Sequence, residues 1–148
     1  MAKILDGALV AEEIKREVRE DVERLQRSHN LQPCPAVVRV GDDAASIVYV
    51  GNKMRTSKAL GFRSEPHILP SDTPTKELLE LIQTLNRRED VDGILVQLPL
   101  PATIDAALVL QAVDPLKDVD GLHPINVGRL ALGEPALVPC TWPELLSF

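Results

Sequence analysis

Two short apolar runs, Ala36 to Val40 and Gly93 to Val96, together with a strand-like segment from Phe62 to Leu69, alternate with stretches whose apolar residues recur at helical spacing. Brief runs dense in Val, Ile and Leu suit strands covered on both faces. Parallel strands need long crossovers, which helices supply and which are right-handed. The alternation predicts an α/β fold: a three-layer domain with a mainly parallel sheet flanked by helices. Pro66 denies its strand one ladder bond and places it at a sheet edge or bulge.

The helices are read from periodicity and caps. Ile14, Val18, Val22 and Leu25 give a buried stripe to a helix from about Ala8 to His29, ended by Ser28-His29-Asn30 and then Pro33 and Pro35. A second helix carries Tyr49 and Lys53 and ends near Leu60-Gly61. Thr73-Pro74 supplies a capping hydroxyl and a first-turn proline, with Leu78, Leu81, Ile82 and Leu85 as the apolar stripe. Thr103 opens a short helix that includes Leu108. From Val113 onward loop signals dominate, and a long irregular segment more often builds a site than fills space.

At 148 residues and 45% hydrophobic content the chain makes one domain with a real core. Its 16 Lys and Arg are spread among 22 Asp and Glu, for a net charge of −6, which argues against nucleic acid or an anionic membrane as partner. Cys34 and Cys140 have no neighbouring cysteine or histidine at zinc spacing, so no metal is expected. The N-terminus meets charge at Lys3 and Asp6, and no apolar run reaches the roughly 18 residues of a membrane span. A cytoplasmic location follows as the default, with the mitochondrion as the alternative.

The stretch Ser46-Ile47-Val48-Tyr49-Val50-Gly51-Asn52-Lys53 follows the first strand and the turn Gly41-Asp42-Asp43. It puts Tyr49 and Lys53 four residues apart on one helical face, beyond the carboxyl end of a strand, where open parallel sheets hold ligands. A helix lysine is usually a solvated cation, but an ammonium dehydrated against apolar and aromatic surface is easier to deprotonate and suits proton transfer. Tyr49 is the only tyrosine in a chain that is 3% aromatic, and its ring can stack on a heteroaromatic ligand. Ser46 either ends the turn before the helix or donates to Lys53. Gln97, at the end of an apolar strand, either caps loop amides or orients a water and bonds a neighbouring lysine. Asp118 and Asp120 flank Val119 and point apart, one to hold the loop and one to face the crevice. A carboxylate there accepts two parallel hydrogen bonds from a ring N–H and an adjacent amino group. His123, before proline, is read as a loop residue. No Gly-rich dinucleotide or phosphate loop and no nucleophile elbow is present.

Together with Val91-Asp92-Gly93-Ile94-Leu95-Val96-Gln97-Leu98-Pro99-Leu100-Pro101, Lys117-Asp118-Val119-Asp120-Gly121-Leu122-His123-Pro124-Ile125-Asn126-Val127-Gly128-Arg129-Leu130 and Pro139-Cys140-Thr141, that stretch closely resembles the methylenetetrahydrofolate dehydrogenase/cyclohydrolase family, in order and at family spacing from about Leu5 to Thr141. The resemblance implies a reduced folate as substrate. It implies that Tyr49 stacks on the folate rings, Asp120 binds the pterin edge, and Lys53 is the central catalytic group of the cyclohydrolase step. Gln97 would tune and position that lysine, and Val96 and Leu98 would line the substrate site. In the dehydrogenase step of the family, hydride passes to NADP, or NAD in some members.

By the same resemblance, residues 1–141 are expected to form the folate-binding catalytic domain. Residues 142–148, with Trp142, Leu145, Leu146 and Phe148, depart from the family and are read as a divergent tail that covers an apolar surface or exposes it for association. The dinucleotide-binding Rossmann half is not expected in these residues. The leading expectation is an enzyme domain of folate metabolism, with self-association into a homo-oligomer. The alternatives are a truncated, noncatalytic folate-binding or subunit-interaction module, and a flavodoxin-like signalling domain.

Overall fold

The Ala36 to Val40 run becomes the middle of the sheet. In the computed structural model, which describes residues 6–138, helix α1 (Gly7–His29) is followed by β1 (Pro35–Val40), α2 (Ala44–Ala59), β2 (Glu65–Leu69), α3 (Thr75–Arg87), β3 (Gly93–Val96), α4 (Ala106–Ala112) and α5 (Pro124–Ala131). The strands are parallel in the order β2-β1-β3, so the chain steps out from β1 to β2 and crosses back to β3. Pro66 lies in the edge strand β2, where a missing ladder donor costs nothing.

Alternation along the strands divides the core. Ala36, Val38, Val40, Ile94 and Val96 point to one face, against Leu78, Ile82 and Leu85 of α3 and Val109 of α4. Val37 and Leu95 point to the other, against Val50 and Met54 of α2. Helices on both faces of a parallel sheet give the three layers that the alternation predicts.

Several elements differ from expectation, each for a local reason. Thr73 does not cap α3: its hydroxyl donates to the Pro70 carbonyl at 2.7 Å and closes the preceding turn. The short helix α4 starts after Asp105, whose carboxylate accepts the amides of Ala107 and Leu108, rather than at Thr103. The region read as loop contains α5, opened by the His123 ring accepting the Ile125 amide, with Pro124 in the first turn. β2 begins at Glu65 because the residues from Phe62 serve the return from α2, with the Arg63 amide bonded to the Pro33 carbonyl. The stripe of α1 is mostly uncovered among the described residues: Val22 is buried, while Ile14 and Leu25 are exposed. Pro139-Cys140-Thr141 and the tail lie outside the described residues.

Two connections fix the sheet's surroundings. Arg88, just past α3, grips both carboxylate oxygens of Glu65 at 2.6 and 2.8 Å and both of Asp90 at 2.9 and 2.7 Å. The Lys117 to Val119 segment adds to the outer edge of β3: the Ile94 amide donates to the Lys117 carbonyl at 2.6 Å and the Val119 amide to the Ile94 carbonyl at 3.5 Å. That approach requires glycine at position 93, because a Cβ there would collide with the Val119 side chain.

Gly93→Ala is expected to lower stability in urea titrations by roughly 1–3 kcal/mol, the usual cost of overpacking. Gly51→Ala is expected to raise it by roughly 0.5–1 kcal/mol, since its Cβ meets open space on a helix. The Arg88 guanidinium holds the Asp90 and Glu65 carboxyls below the usual carboxylate range, with Arg63 adding to the effect on Asp90. Their contribution is therefore complete at neutral pH and lost as pH falls below that range. Acid melts of Arg88→Met should show a smaller stability loss across that interval than wild type.

Candidate active site

Helix α2 builds the first wall. Its start is capped by Asp43, which accepts the Ser46 amide at 2.8 Å and is held below the ordinary aspartate range by the amide and hydroxyl of Ser46. Ser46 and Val50 are buried, and the flank beside that buried stripe carries Tyr49 and Lys53. The Lys53 ammonium lies 4.6 Å from the centroid of the Tyr49 ring and 3.9 Å from the Asp120 carboxylate. A cation over an aromatic face is held by the ring's quadrupole, and the carboxylate gives it a second anchor.

Tyr49 and Lys53 edge a cavity of about 460 Å³, lined also by Thr56 of α2, Val37 and Leu95 of the sheet, and Val119, the residue before Asp120. The cavity does not sit beyond the carboxyl ends of the strands, as the turn-and-helix pattern implies. It lies along the sheet face, because α2 runs back beside β1 and carries Tyr49 and Lys53 one and two turns away from that end. One side of it is apolar sheet, and the other is the flank of α2 that carries Tyr49 and Lys53.

Asp118 and Asp120 point apart. Asp118 is buried and accepts the His123 amide at 2.8 Å and the Asn126 carboxamide at 3.0 Å, while Asn126 also donates to the Pro115 carbonyl. Asp120 is half-buried and faces Lys53. Burial raises the Asp120 carboxyl above the ordinary aspartate value, the Lys53 ammonium pulls it back, and the negative charge of Asp118 adds to the rise.

The remaining residues named from the sequence are spread more widely. Gln97 follows β3 on the face shared with Leu95, and its backbone amide continues the ladder to the Val38 carbonyl at 2.8 Å. Its side-chain amide donates to the Leu98 carbonyl at 2.6 Å and not to Lys53, and its carbonyl oxygen is buried with no hydrogen-bond partner. Val96 does not line the cavity: one residue from Leu95, it points to the opposite face and packs in the α3 core. Leu98 is half-buried at the strand's end. Ser46 lies under α2, with its amide committed to Asp43. His123, read as a loop residue, donates its amide to Asp118 and caps α5; Gly93 and Asn126 also shape the loop, through close packing and backbone contacts that residue type does not announce.

Among the described residues no three His, Cys, Asp or Glu side chains converge as metal ligands, and no helix is long and apolar enough to cross a membrane. A dinucleotide pyrophosphate seeks free amides at a helix start; the first turns of α1, α2, α4 and α5 donate amides to Asp6, Asp43, Asp105 and His123, whereas α3, after Pro74, has no side-chain cap.

Comparison with known proteins agrees with the motifs. The profile of the family described as tetrahydrofolate dehydrogenase/cyclohydrolase, catalytic domain, matches residues 5–120. The bifunctional protein FolD of Afipia carboxidovorans is 53% identical over 137 residues, covering 93% of this chain and 47% of the relative. FolD 2 of Pseudomonas putida is 55% identical over 139 residues, covering 94% and 46%. The crystal structure of the bifunctional FolD methylenetetrahydrofolate dehydrogenase/cyclohydrolase of Campylobacter jejuni superposes with a TM-score of 0.92 at 42% identity, covering 97% of this chain and 51% of that one. The Trypanosoma brucei enzyme, complexed with NADP cofactor and inhibitor, superposes at 0.91 with 34% identity, covering 98% and 50%. The chain spans about half the length of the relatives it matches. By the profile match over residues 5–120 and these identities, the chain belongs to the tetrahydrofolate dehydrogenase/cyclohydrolase family.

Proposed function

We propose that this chain is the folate-binding catalytic half of a bifunctional methylenetetrahydrofolate dehydrogenase/cyclohydrolase, and that Lys53 drives the hydrolysis of methenyltetrahydrofolate. The observation that carries this reading is the Lys53 ammonium held between the Tyr49 ring and the Asp120 carboxylate, with Tyr49 and Lys53 lining one cavity. Tyr49 supplies a face for the folate rings, and Asp120 accepts two parallel hydrogen bonds from the pterin edge.

In hydrolysis, water adds to the methenyl carbon and its proton passes to the unprotonated Lys53 amine. The bond from that carbon to N5 then breaks as Lys53 returns the proton to N5 and the carbinol O–H releases its proton to solvent, leaving the formyl group on N10. Gln97 is assigned the tuning and positioning of Lys53; its buried carbonyl oxygen, which has no hydrogen-bond partner among the described residues, is the acceptor available for that role. Ser46 and Leu98 support the two ends of the site, and Val96 supports it from the opposite face of β3.

For the dehydrogenase reaction these residues contribute the folate site, and no step through NADP is drawn from them. A cytoplasmic setting, self-association into a homo-oligomer and independence from nucleic acid and metal belong to the same proposal. The second reading, a noncatalytic folate-binding or subunit-interaction module, is favoured by the stripe of α1, which is mostly exposed among the described residues.

Calorimetric titration with a methenyltetrahydrofolate analogue tests the site. Tyr49→Ala and Asp120→Asn should each weaken binding, the carboxamide by about tenfold, the scale of one charge-assisted hydrogen bond. Unchanged affinity in both variants would remove them from the site. Because the folded Asp120 carboxyl lies above its ordinary value, affinity in wild type should fall on acidification from a higher pH than a normal aspartate gives, and Asp120→Asn should flatten that profile. The same raised value means the ionised carboxylate opposes folding at neutral pH, with relief as pH falls. Asp120→Asn should therefore bind folate worse while melting no lower than wild type at pH 7.

A further inference from the structure

Lys117 lies three residues before Asp120 but turns away from the cavity. Its ammonium donates to the carbonyls of Leu85 at 3.2 Å, Asn86 at 2.9 Å and Arg88 at 2.6 Å. These carbonyls belong to the last turn and exit of α3, where that of Leu85 also accepts the Arg88 amide at 3.2 Å and backbone acceptors carry partial negative charge. One ammonium with three donors can serve all three from a single point. Asn86 strengthens the same junction, donating to the Ala112 carbonyl at 2.7 Å and accepting the Asp114 amide at 2.9 Å.

The lysine is thus pinned twice. Its side chain is fixed to α3, and its own carbonyl accepts the Ile94 amide of β3. One residue later, Asp118 is fixed by His123 and Asn126. The chain then turns at Gly121, whose φ is 64° and whose amide returns to the Asp118 carbonyl at 3.2 Å. Between the pinned pair and that turn lie Val119, against Gly93 on the cavity wall, and Asp120, 3.9 Å from Lys53. Asp120 itself makes no hydrogen bond that would hold it there from the cavity side.

We propose that Lys117 is a positioning residue that acts through Asp120: by tying the loop to the end of α3, it sets the distance between the Asp120 carboxylate and Lys53. The inference rests on the folate reading for what Asp120 binds, but not for where Asp120 sits. A point-charge ammonium fits the three converging carbonyls, whereas the planar guanidinium of arginine spreads its donors along a fork. Lys117→Arg keeps the charge and loses the geometry, so it should reproduce part of the defect of Lys117→Met.

The test needs a readout that general loosening would not move. Carboxyl carbon NMR of the 148-residue chain follows the titration of Asp120 without any folate. The charged groups facing Asp120 are Lys53 and Asp118. Lys117→Met should release the loop to water and bring the Asp120 titration down toward that of an ordinary aspartate, with Lys117→Arg in between. An Asp120 titration that is unchanged in both variants overturns the proposal, as does loss of cooperative unfolding in both, which would make Lys117 a general stability residue.

With a methenyltetrahydrofolate analogue, Lys117→Met should weaken binding by about tenfold in wild type and add no further loss in Asp120→Asn, since residues acting through one another are not additive. Additive losses would contradict action through Asp120. A wild-type chain that binds no folate would overturn the functional reading and leave the NMR result to decide the positioning claim.

Discussion

The cavity depends on the backbone of one residue. Ile94 offers its amide to Lys117 and its carbonyl to Val119, and this pair of bonds draws the Asp118-Val119-Asp120 segment onto the outer edge of β3. Without it Asp120 would have no fixed relation to α2, and Tyr49 and Lys53 would stand on an ordinary helix surface. The contact is possible because Gly93 leaves room for Val119, and because β3 is short, fully buried and backed by the α3 core. Packing in one layer of the domain therefore sets charge placement in another.

That charge placement is a balance of opposed effects. Lys53 is held between an aromatic face and a carboxylate 3.9 Å away, close enough to attract it and too far for a tight ion pair. Asp120 is raised by burial and by Asp118 but drawn back by Lys53. A fully exposed pair would be screened by water, and a fully buried one would tie the lysine down. A half-buried, loosely paired lysine suits a group that must exchange protons with a bound molecule.

Much of this architecture is legible in the residues themselves. The valine-rich run of β1 announces a strand buried on both faces, Pro66 announces an edge, and the i, i+4 spacing of Tyr49 and Lys53 brings them together. The opposite orientations of Asp118 and Asp120 do not follow from strand alternation, which puts residues i and i+2 on one side; they arise in the turn closed by the Gly121 amide on the Asp118 carbonyl. What stays hidden has a common cause, namely partners that are backbone atoms far away in the chain. Lys117 bonds carbonyls 29 to 32 residues upstream, which no pattern of side chains signals. Helix α5 is masked by glycine and proline and by a histidine cap. The cavity's place on the sheet face depends on how α2 lies over β1. That Val96 packs in the α3 core and not along the cavity depends on which side of β3 faces α2, and all four residues of that strand are buried, so burial alone does not tell one side from the other. The folate itself enters through the resemblance of several motifs taken together, since an aromatic ring, a lysine and a carboxylate describe the shape of a site and not its ligand.

The most direct measurement is the loss of methenyltetrahydrofolate absorbance in the presence of this chain, with no nicotinamide cofactor, beside Lys53→Met and a buffer blank. Hydrolysis above the blank in wild type, absent in a Lys53→Met variant whose melting midpoint is unchanged, is the predicted result. A wild-type rate equal to the blank, or a Lys53→Met rate equal to wild type, would contradict the assignment of Lys53 as the group that drives the reaction.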